Sequence, residues 1–468
     1  VKGDAEVTPK GPLPVDLIAA RAAAANVVVH GFPAMLMDLV RRAHPVGFHQ
    51  FQLITHDAGN LAPGLAEDDP RVVVCSAFID VGDGPVVVRL PHTHGRFFNL
   101  TLMDSVGEAF ESLDFRLGDD AGVDLALVGP DWRGELPRGL RAKRAPGDTI
   151  WAVYRIHGHS QLDRPDAVRV AERLAIAVLR PEGMPRGSMT SVLEPPSSPC
   201  LRQIAELAPA TFFHRLESVL KHAPAAYFSV EHPLIEGFLM QLGGSRDPAD
   251  WPPDFADAIA RGFADGTEAI RAAAAALETE RPGWRIRSGR LNEPPAPALT
   301  AAARAYAGLG AAVREDVLTL ACEHDETGSH LTGALAYRIR FPRDALPPVN
   351  AFWRLAAHPA GRPATGELGS YSNLTPNPDG SCDIHVQHWP PPIDLVGNWL
   401  PTPDGRFSLV MRLYGPRPGA LSGAWRMSPV QRLDSGPAIS SRSPTRPGVA
   451  AAGDPPHSPS PRATPPSM

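Results

Sequence analysis

Histidine pairs are the first residues in this chain whose spacing suggests chemistry. His92/His94 and His157/His159 each set two imidazoles two residues apart, the period that turns side chains to one face of a strand and suits a metal in a β-barrel. A metal centre also needs a third ligand and outer partners that fix the tautomer, and no spacing in the chain supplies either. With 17 histidines present, chance accounts for both pairs, and for His385 and His388, whose odd spacing points them to opposite faces of a strand. No metal or other cofactor is expected, and His157 and His159 are kept as the weak metal candidates. Gly158-His159-Ser160-Gln161-Leu162 has the first Gly and the Ser of a nucleophile elbow, but Leu162 stands where the tight strand-to-helix turn needs a small residue. Ser160 therefore reads as a hydroxyl at the start of a helix, and no catalytic residue is assigned. The four cysteines, Cys75, Cys200, Cys322 and Cys382, form no compact ligand pair and no disulfide framework.

A polar ligand is a second possibility. Asn398-Trp399-Leu400-Pro401 and Arg412-Leu413-Tyr414 offer an aromatic platform beside a guanidinium and a carboxamide, a set that suits a sugar ring or a ligand carboxylate. Placement on consecutive strands of one sheet would let Arg412 orient against the Trp399 indole. Packing competes with this reading, because Trp and Tyr with a satisfied N–H or O–H commonly close a sandwich edge and Arg412 can pair a nearby carboxylate. Asp104 and Arg155 are weighed in the same way: ligand contacts, or a buried ion pair between strands.

The elements that must carry these residues are mostly strands. Val72 to Phe78, Pro85 to Leu90, Phe98 to Leu102 and Thr149 to Ile156 are rich in β-branched and aromatic residues and punctuated by Gly and Pro. This is the pattern of an antiparallel sandwich or barrel, and the long helices that a doubly wound sheet needs are missing between them. After Pro195-Pro196-Ser197-Ser198-Pro199 the period changes. Phe212, Phe213, Leu216, Val219 and Leu220, then Phe255, Ile259, Phe263, Ile270, Ala274 and Leu277, recur at helical spacing. Strand alternation returns at Leu335, Tyr337, Ile339 and Phe341, and Phe407 to Tyr414 adds a further strand of a second antiparallel domain. The expected organisation is an N-terminal β domain with flanking helices over 1–180, a helical connector over 181–315, a C-terminal β domain over 316–433 and a tail over 434–468. The tail is rich in Pro, Ser and Gly, holds no aromatic ring and is expected to be disordered.

Read together, these stretches resemble a family of bacterial proteins that pair two domains of unknown function, the 1254 type near the N-terminus and the 1214 type at the C-terminus. The C-terminal likeness rests on Tyr337-Arg338-Ile339-Arg340-Phe341-Pro342, Pro347-Pro348-Val349-Asn350-Ala351-Phe352-Trp353, Asp379-Gly380-Ser381, Asn398-Trp399-Leu400-Pro401, Arg412-Leu413-Tyr414 and Pro416. The N-terminal one runs through Gly84-Pro85-Val86-Val87, Arg96-Phe97-Phe98, Asp104, Val128-Gly129-Pro130, Trp132, Pro137, Trp151, Arg155 and Asp163. The resemblance implies a mainly β fold with helices, two antiparallel jelly-roll-like domains joined by a helical connector, and carries no activity. The chain departs from the family at Asp68-Asp69-Pro70-Arg71-Val72-Val73, where relatives carry an Asn-x-Asp-Thr-x-Tyr stretch, and a ligand site lined by that stretch would be altered here.

Charge narrows the partners. Forty-five basic and 51 acidic side chains give a net charge of −6, with no dense basic stripe to neutralise a phosphate backbone, so nucleic acid is not an expected partner. No stretch reads as the ~20 apolar residues of a membrane span. The chain is expected in the cytoplasm if complete, and secreted or periplasmic if an N-terminal signal was removed; a homo-oligomer is compatible with all of this. Two functions follow: binding of a small polar or carbohydrate-like ligand, or a hydrolase or lyase whose acid/base pair is assembled between the domains.

Overall fold

The computed structural model describes residues 16–433 except 45, 56, 67–68, 118–121, 180–190, 221–234, 236, 240–250, 278–279, 282, 287–290, 292–295, 360–361 and 363. The expected tail, and Asp68 of the departing stretch, lie outside the described residues.

Two β-sandwiches are built on one plan. In the N-terminal one, a six-stranded sheet runs in the order Ser191–Leu193, Gln52–Ile54, Val72–Asp80, Thr149–His157, Phe98–Met103, Ala109–Asp114, against a four-stranded sheet of Arg141–Arg144, Val123–Val128, Val86–Leu90 and Ala175–Val178. The C-terminal sandwich repeats the count. Its six strands are Glu280–Arg281, Trp284–Ile286, Val317–Cys322, Phe407–Pro416, Val349–Pro359 and Gly366–Gly369, and its four are Trp399–Pro401, Cys382–Gln387, Tyr337–Phe341 and Gln431–Arg432. Neighbours pair antiparallel apart from three edge pairings, Gln52–Ile54 with Ser191–Leu193, Val123–Val128 with Arg141–Arg144, and Cys382–Gln387 with Trp399–Pro401. The expected antiparallel two-domain fold is the one observed.

Alternation explains how each sheet is used. Val73, Cys75, Ala77 and Ile79 face the four-stranded sheet, together with Ile150, Ala152 and Tyr154. Val72, Val74, Phe78, Trp151 and Val153 face the other way, into a layer of helices. A strand covered on both sides reads as an unbroken apolar run, which is why Val72–Asp80 is buried along almost its whole length. The helical layer is drawn from Pro209–Leu220, Pro253–Ala276 and Ala298–Gly308 of the joining segment, plus Leu17–Arg42. Sequence reading missed this last helix. Its 18-residue window of mean hydropathy 1.4 makes it long and apolar enough to cross a membrane, which corrects the expectation that no such stretch exists, and 72% of that window is buried inside the protein. Gly262 and Gly266 let the two longest helices approach: a Cβ at either would lie 2.3 Å from the Arg21 carbonyl oxygen or 2.8 Å from that of Ala25.

The sandwiches meet through aromatic rings. Tyr414 stacks on Phe352 at 4.2 Å, and His157 and Phe97 lie edge-on to Tyr414 at 4.7 and 5.3 Å. Gly415 has φ +61°, and a Cβ there would come within 2.5 Å of the Phe115 ring. Glycine at this point permits both the turn and the close approach.

Candidate functional site

Register places the charge. In the C-terminal sandwich, Leu409, Met411 and Leu413 point into the core, as do Trp353 and Leu355 of the adjacent strand. The alternate residues therefore face the N-terminal sandwich. Across three neighbouring strands Val317, Tyr414 and Phe352 form one row, and Thr319, Arg412 and Arg354 form the next. Arg412 and Arg354 are thus directly opposite on one face, an arrangement that destabilises a sheet unless anions compensate.

The anions come from both domains. Arg354, whose side chain is 1% exposed, donates from Nε to Glu367 at 2.7 Å and lies 3.7 Å from Asp69 of the N-terminal domain. Arg71 grips Asp69 as a fork, at 2.8 Å from Nε and 2.6 Å from Nη2, the bidentate geometry that suits a guanidinium to a carboxylate. Arg71 also donates to the Tyr371 hydroxyl at 3.1 Å, lies over that ring at 4.6 Å and reaches Glu367 at 3.7 Å. Burial alone would raise the Asp69 pKa, but the Arg71 hydrogen bonds and the Arg354 charge outweigh it and hold the carboxyl below its ordinary value. Asp69 is a fixed anion at neutral pH.

Beside this network a cavity of about 1340 Å³ lies between the sandwiches. Its N-terminal wall includes Ile54, Asn60, Asp69, Val72 and Val74, and its C-terminal wall includes Arg354, Glu367, Val410 and Arg412. Five arginines and four carboxylates are among its described lining residues. Space opens beyond the arginine row because the next outward residues on the Phe407–Pro416 strand, Val410 and Ser408, are small.

The sequence-derived candidates separate in space. Arg412 lines the cavity. Tyr414, two residues on and 1% exposed, belongs to the interdomain aromatic cluster. Trp399 lies in the other sheet of the sandwich, so the expectation that it and Arg412 occupy consecutive strands of one sheet is corrected. Its strand is the parallel edge neighbour of Cys382–Gln387, and its indole N–H donates to the Gln387 carbonyl at 2.8 Å. The buried Asn398 amide accepts from the Thr375 N–H and donates to the Thr375 and Asp383 carbonyls, each at 2.8 Å. These contacts tie a loop to a sheet edge.

Asp104 and Arg155 are not an ion pair. Met103 faces Trp151 and Asn99 faces Arg155, which puts Asp104 and Arg155 more than ~13 Å apart along the strands. Asp104 closes the turn after Phe98–Met103 by accepting the Val106 and Glu108 N–H groups at 3.0 Å, and burial pushes its pKa up to about 7. Arg155 donates to the carbonyls of Gly64 and Gly310, fastening two loops to the central strand. His157 is packed among Phe97, Phe352 and Tyr414, and burial drives its pKa down to about 3. His159 is exposed in the following turn, where its N–H donates to Asp163 at 2.8 Å. Ser160 is exposed too, and its hydroxyl oxygen accepts the Asp163 N–H. The His92 and His94 rings meet at 4.2 Å in a surface turn. Among the described residues no group of three His, Cys, Asp or Glu could hold a metal ion.

Sequence reading missed Asp69, Arg71, Arg354, Glu367 and Tyr371 as site residues. The departure at Asp68–Val73 was the available signal for the first two; Arg354 follows the Phe352-Trp353 motif and had none of its own. A buried Ser76–His44 pair was missed as well. Ser76 lies 2.9 Å from His44 Nε2, while His44 Nδ1 lies 2.9 Å from the Val40 carbonyl, as in a nucleophile–base pair. Trp151 donates to the same hydroxyl at 2.7 Å and Ser76 is fully buried, so the trio serves as a satisfied polar network inside the helix-facing core.

Family models match both halves of the chain, as "Protein of unknown function (DUF1214)" over residues 316–418 and as DUF1254, described in the same words, over residues 49–177. The chain belongs to the proteins that pair DUF1254 with DUF1214. The DUF1254 match spans Asp69, Arg71 and His157, and the DUF1214 match spans Arg354, Glu367, Arg412 and Tyr414, so the cavity is a product of the pairing. The solved structure of the VPA0106 protein from Vibrio parahaemolyticus is similar in fold, with a TM-score of 0.62 at 18% identity over 89% of this chain and 100% of that one. An uncharacterised Burkholderia cenocepacia protein matches over 89% of this chain and 94% of that one, at 14% identity and a TM-score of 0.38. No curated protein matches the chain.

Proposed function

We propose that this DUF1254–DUF1214 chain binds a small polar molecule in the cavity between its sandwiches. The observation that carries the reading is the Arg354–Arg412 row at the cavity wall, with Arg354 held by acids from both domains. Guanidiniums set opposite one another beside open space form a preorganised polar wall, and pockets with a few convergent polar groups on otherwise apolar walls are where ligands bind. The alternative, a hydrolase or lyase, needs a proton-transferring group that faces the ligand. Asp69 is locked as an ion and His157 is enclosed by aromatic rings, so neither of these two serves as that group, and the arginine row favours binding.

A thermal-shift screen of small polar molecules on the unaltered chain and on Ser408→Trp tests it. Ser408 lines the cavity on the outward face, so an indole there takes up part of the space and narrows it beside Val410. Hits should raise the melting temperature of the unaltered chain only. Hits that stabilise Ser408→Trp equally would sink the reading.

A further inference from the structure

We infer that Asp114 and Asp316, one from each sandwich, share a single proton and form a latch that closes the domain contact in acid and loosens it as pH rises. The latch concerns the contact between the sandwiches and stands apart from whatever the cavity binds.

Geometry carries it. Asp114 ends the edge strand Ala109–Asp114 and Asp316 leads into Val317–Cys322; their side chains are 5% and 1% exposed. One guanidinium serves both, for Arg116 Nε lies 2.6 Å from Asp114 Oδ2 and its Nη2 donates to Asp316 Oδ1 at 2.7 Å. The Ser112 hydroxyl donates to Asp316 Oδ2, and the Arg116 backbone N–H donates to Asp114 Oδ1 at 3.0 Å. Asp114 Oδ2 is buried and accepts no hydrogen bond, although the two carboxyl groups lie within hydrogen-bonding reach of each other. A proton between them satisfies that oxygen and leaves one negative charge for one guanidinium. Two ionised carboxylates would leave a buried charge uncompensated.

The surroundings do not supply the missing cation. Among the described residues, Glu315 adds a negative charge beside Arg116 and lies 3.7 Å from Arg314, and Lys143 is taken by Glu111 at 2.9 Å. Asn99 and Thr101, opposite Asp114 and Ser112 on the next strand, are uncharged, and Arg155 beyond Asn99 is turned to loop carbonyls. Burial, joined by the Asp114 charge, holds the Asp316 carboxyl above the ordinary carboxylate range against the Ser112 and Arg116 contacts. An acid raised in this way favours the closed form most at low pH, and that preference is lost as pH rises. The aromatic row would feel the loss. Phe115, between Asp114 and Arg116, packs on Phe97 at 5.0 Å, and a Cβ on Gly415 would meet its ring at 2.5 Å. Gly415 in turn donates its N–H to the Asp316 carbonyl at 2.8 Å.

Amide hydrogen exchange at Gly415, corrected for its intrinsic pH dependence, tests the latch between about pH 5 and pH 8. In the unaltered chain protection should fall about tenfold or more across that range, the factor that one unit of pKa difference between closed and open forms provides. Asp316→Asn and Asp114→Asn each remove the second buried charge, so protection should stay level in both. Asp104→Asn, in a different turn, should keep the fall. Level protection in the unaltered chain, a fall that survives in both latch variants, or one that vanishes in Asp104→Asn would overturn the inference. Should the latch variants fail to fold, the place of the loss in the unaltered chain decides: loss confined to residues 112–117 and 414–416 supports the latch, and uniform loss across both sandwiches overturns it.

Discussion

In the N-terminal sandwich helices cover most of the outer face of the six-stranded sheet: Phe78, Trp151 and Val153 pack into that layer beside one satisfied polar trio, and only at its margin do Val72 and Val74 reach the cavity wall. In the C-terminal sandwich the matching face carries Phe352 and Tyr414, then Arg354 and Arg412, then Val410 and Ser408. One strand plan thus supports two kinds of second layer. Where the cover comes from helices, the face is core. Where it comes from another domain, contact is complete at the aromatic row and lapses beyond the arginines, and the lapse is the cavity.

The comparison can be broken by substitution. Trp151→Ala, at a fully buried site in the helix-sealed face, removes a large ring and leaves Ser76 and His44 without their third partner. It should cost ~3–5 kcal/mol, read as a drop of many degrees in the melting temperature. A loss near zero would mean that the helices do not seal this face. Trp399→Ala, at a half-buried position on the edge of the other C-terminal sheet, should cost less, ~1–2 kcal/mol, and leave the affinity of any cavity ligand unchanged; a loss of affinity would return Trp399 to the site.

The smallest effect is one of pH. Burial raises Asp104 from 3.8 to about 7, so the stability it contributes is complete below 3.8 and is lost as pH rises through about 7. Asp163 has the opposite sign: its hydrogen bonds from Arg96 lower it to about 2, so its contribution is present above 3.8 and is lost as pH falls through about 2. Between about pH 4 and pH 7 the Asp104 contribution to the melting temperature should therefore decline as pH rises, against an opposite slope from the buried His44 and His157, whose pKa values burial lowers from 6.5 to about 4 and about 3. Asp104→Asn keeps an oxygen to accept the turn N–H groups and should flatten that decline. An unchanged slope would remove Asp104 as its cause.

Much of the architecture was legible in the sequence. Runs such as Val72–Val74 and the alternation of Tyr337, Ile339 and Phe341 announced strands, because a pleated strand sends neighbouring side chains to opposite faces. Leu17–Arg42 was not legible as an amphipathic helix, since its buried residues run almost all round from Gly31 to Val40 and leave no polar stripe for a 3.6-residue period to reveal. Arg412 was singled out, but paired with Trp399, because order along the chain does not say which of two sheets a strand joins.

By itself the sequence determined the main strands and the helices of the joining segment, the two-domain β plan, the family pairing and Arg412 as a residue to weigh. Tertiary structure decided the rest. It set Arg354 opposite Arg412 and brought Asp69, held by Arg71, across from the other domain to within 3.7 Å of Arg354. It walled His157 in rings and turned Arg155 to loop carbonyls. The physical reason is that alternation records whether a side chain is covered, while register and domain contact decide what covers it, and charge at a site is the sum over groups that only the fold brings together.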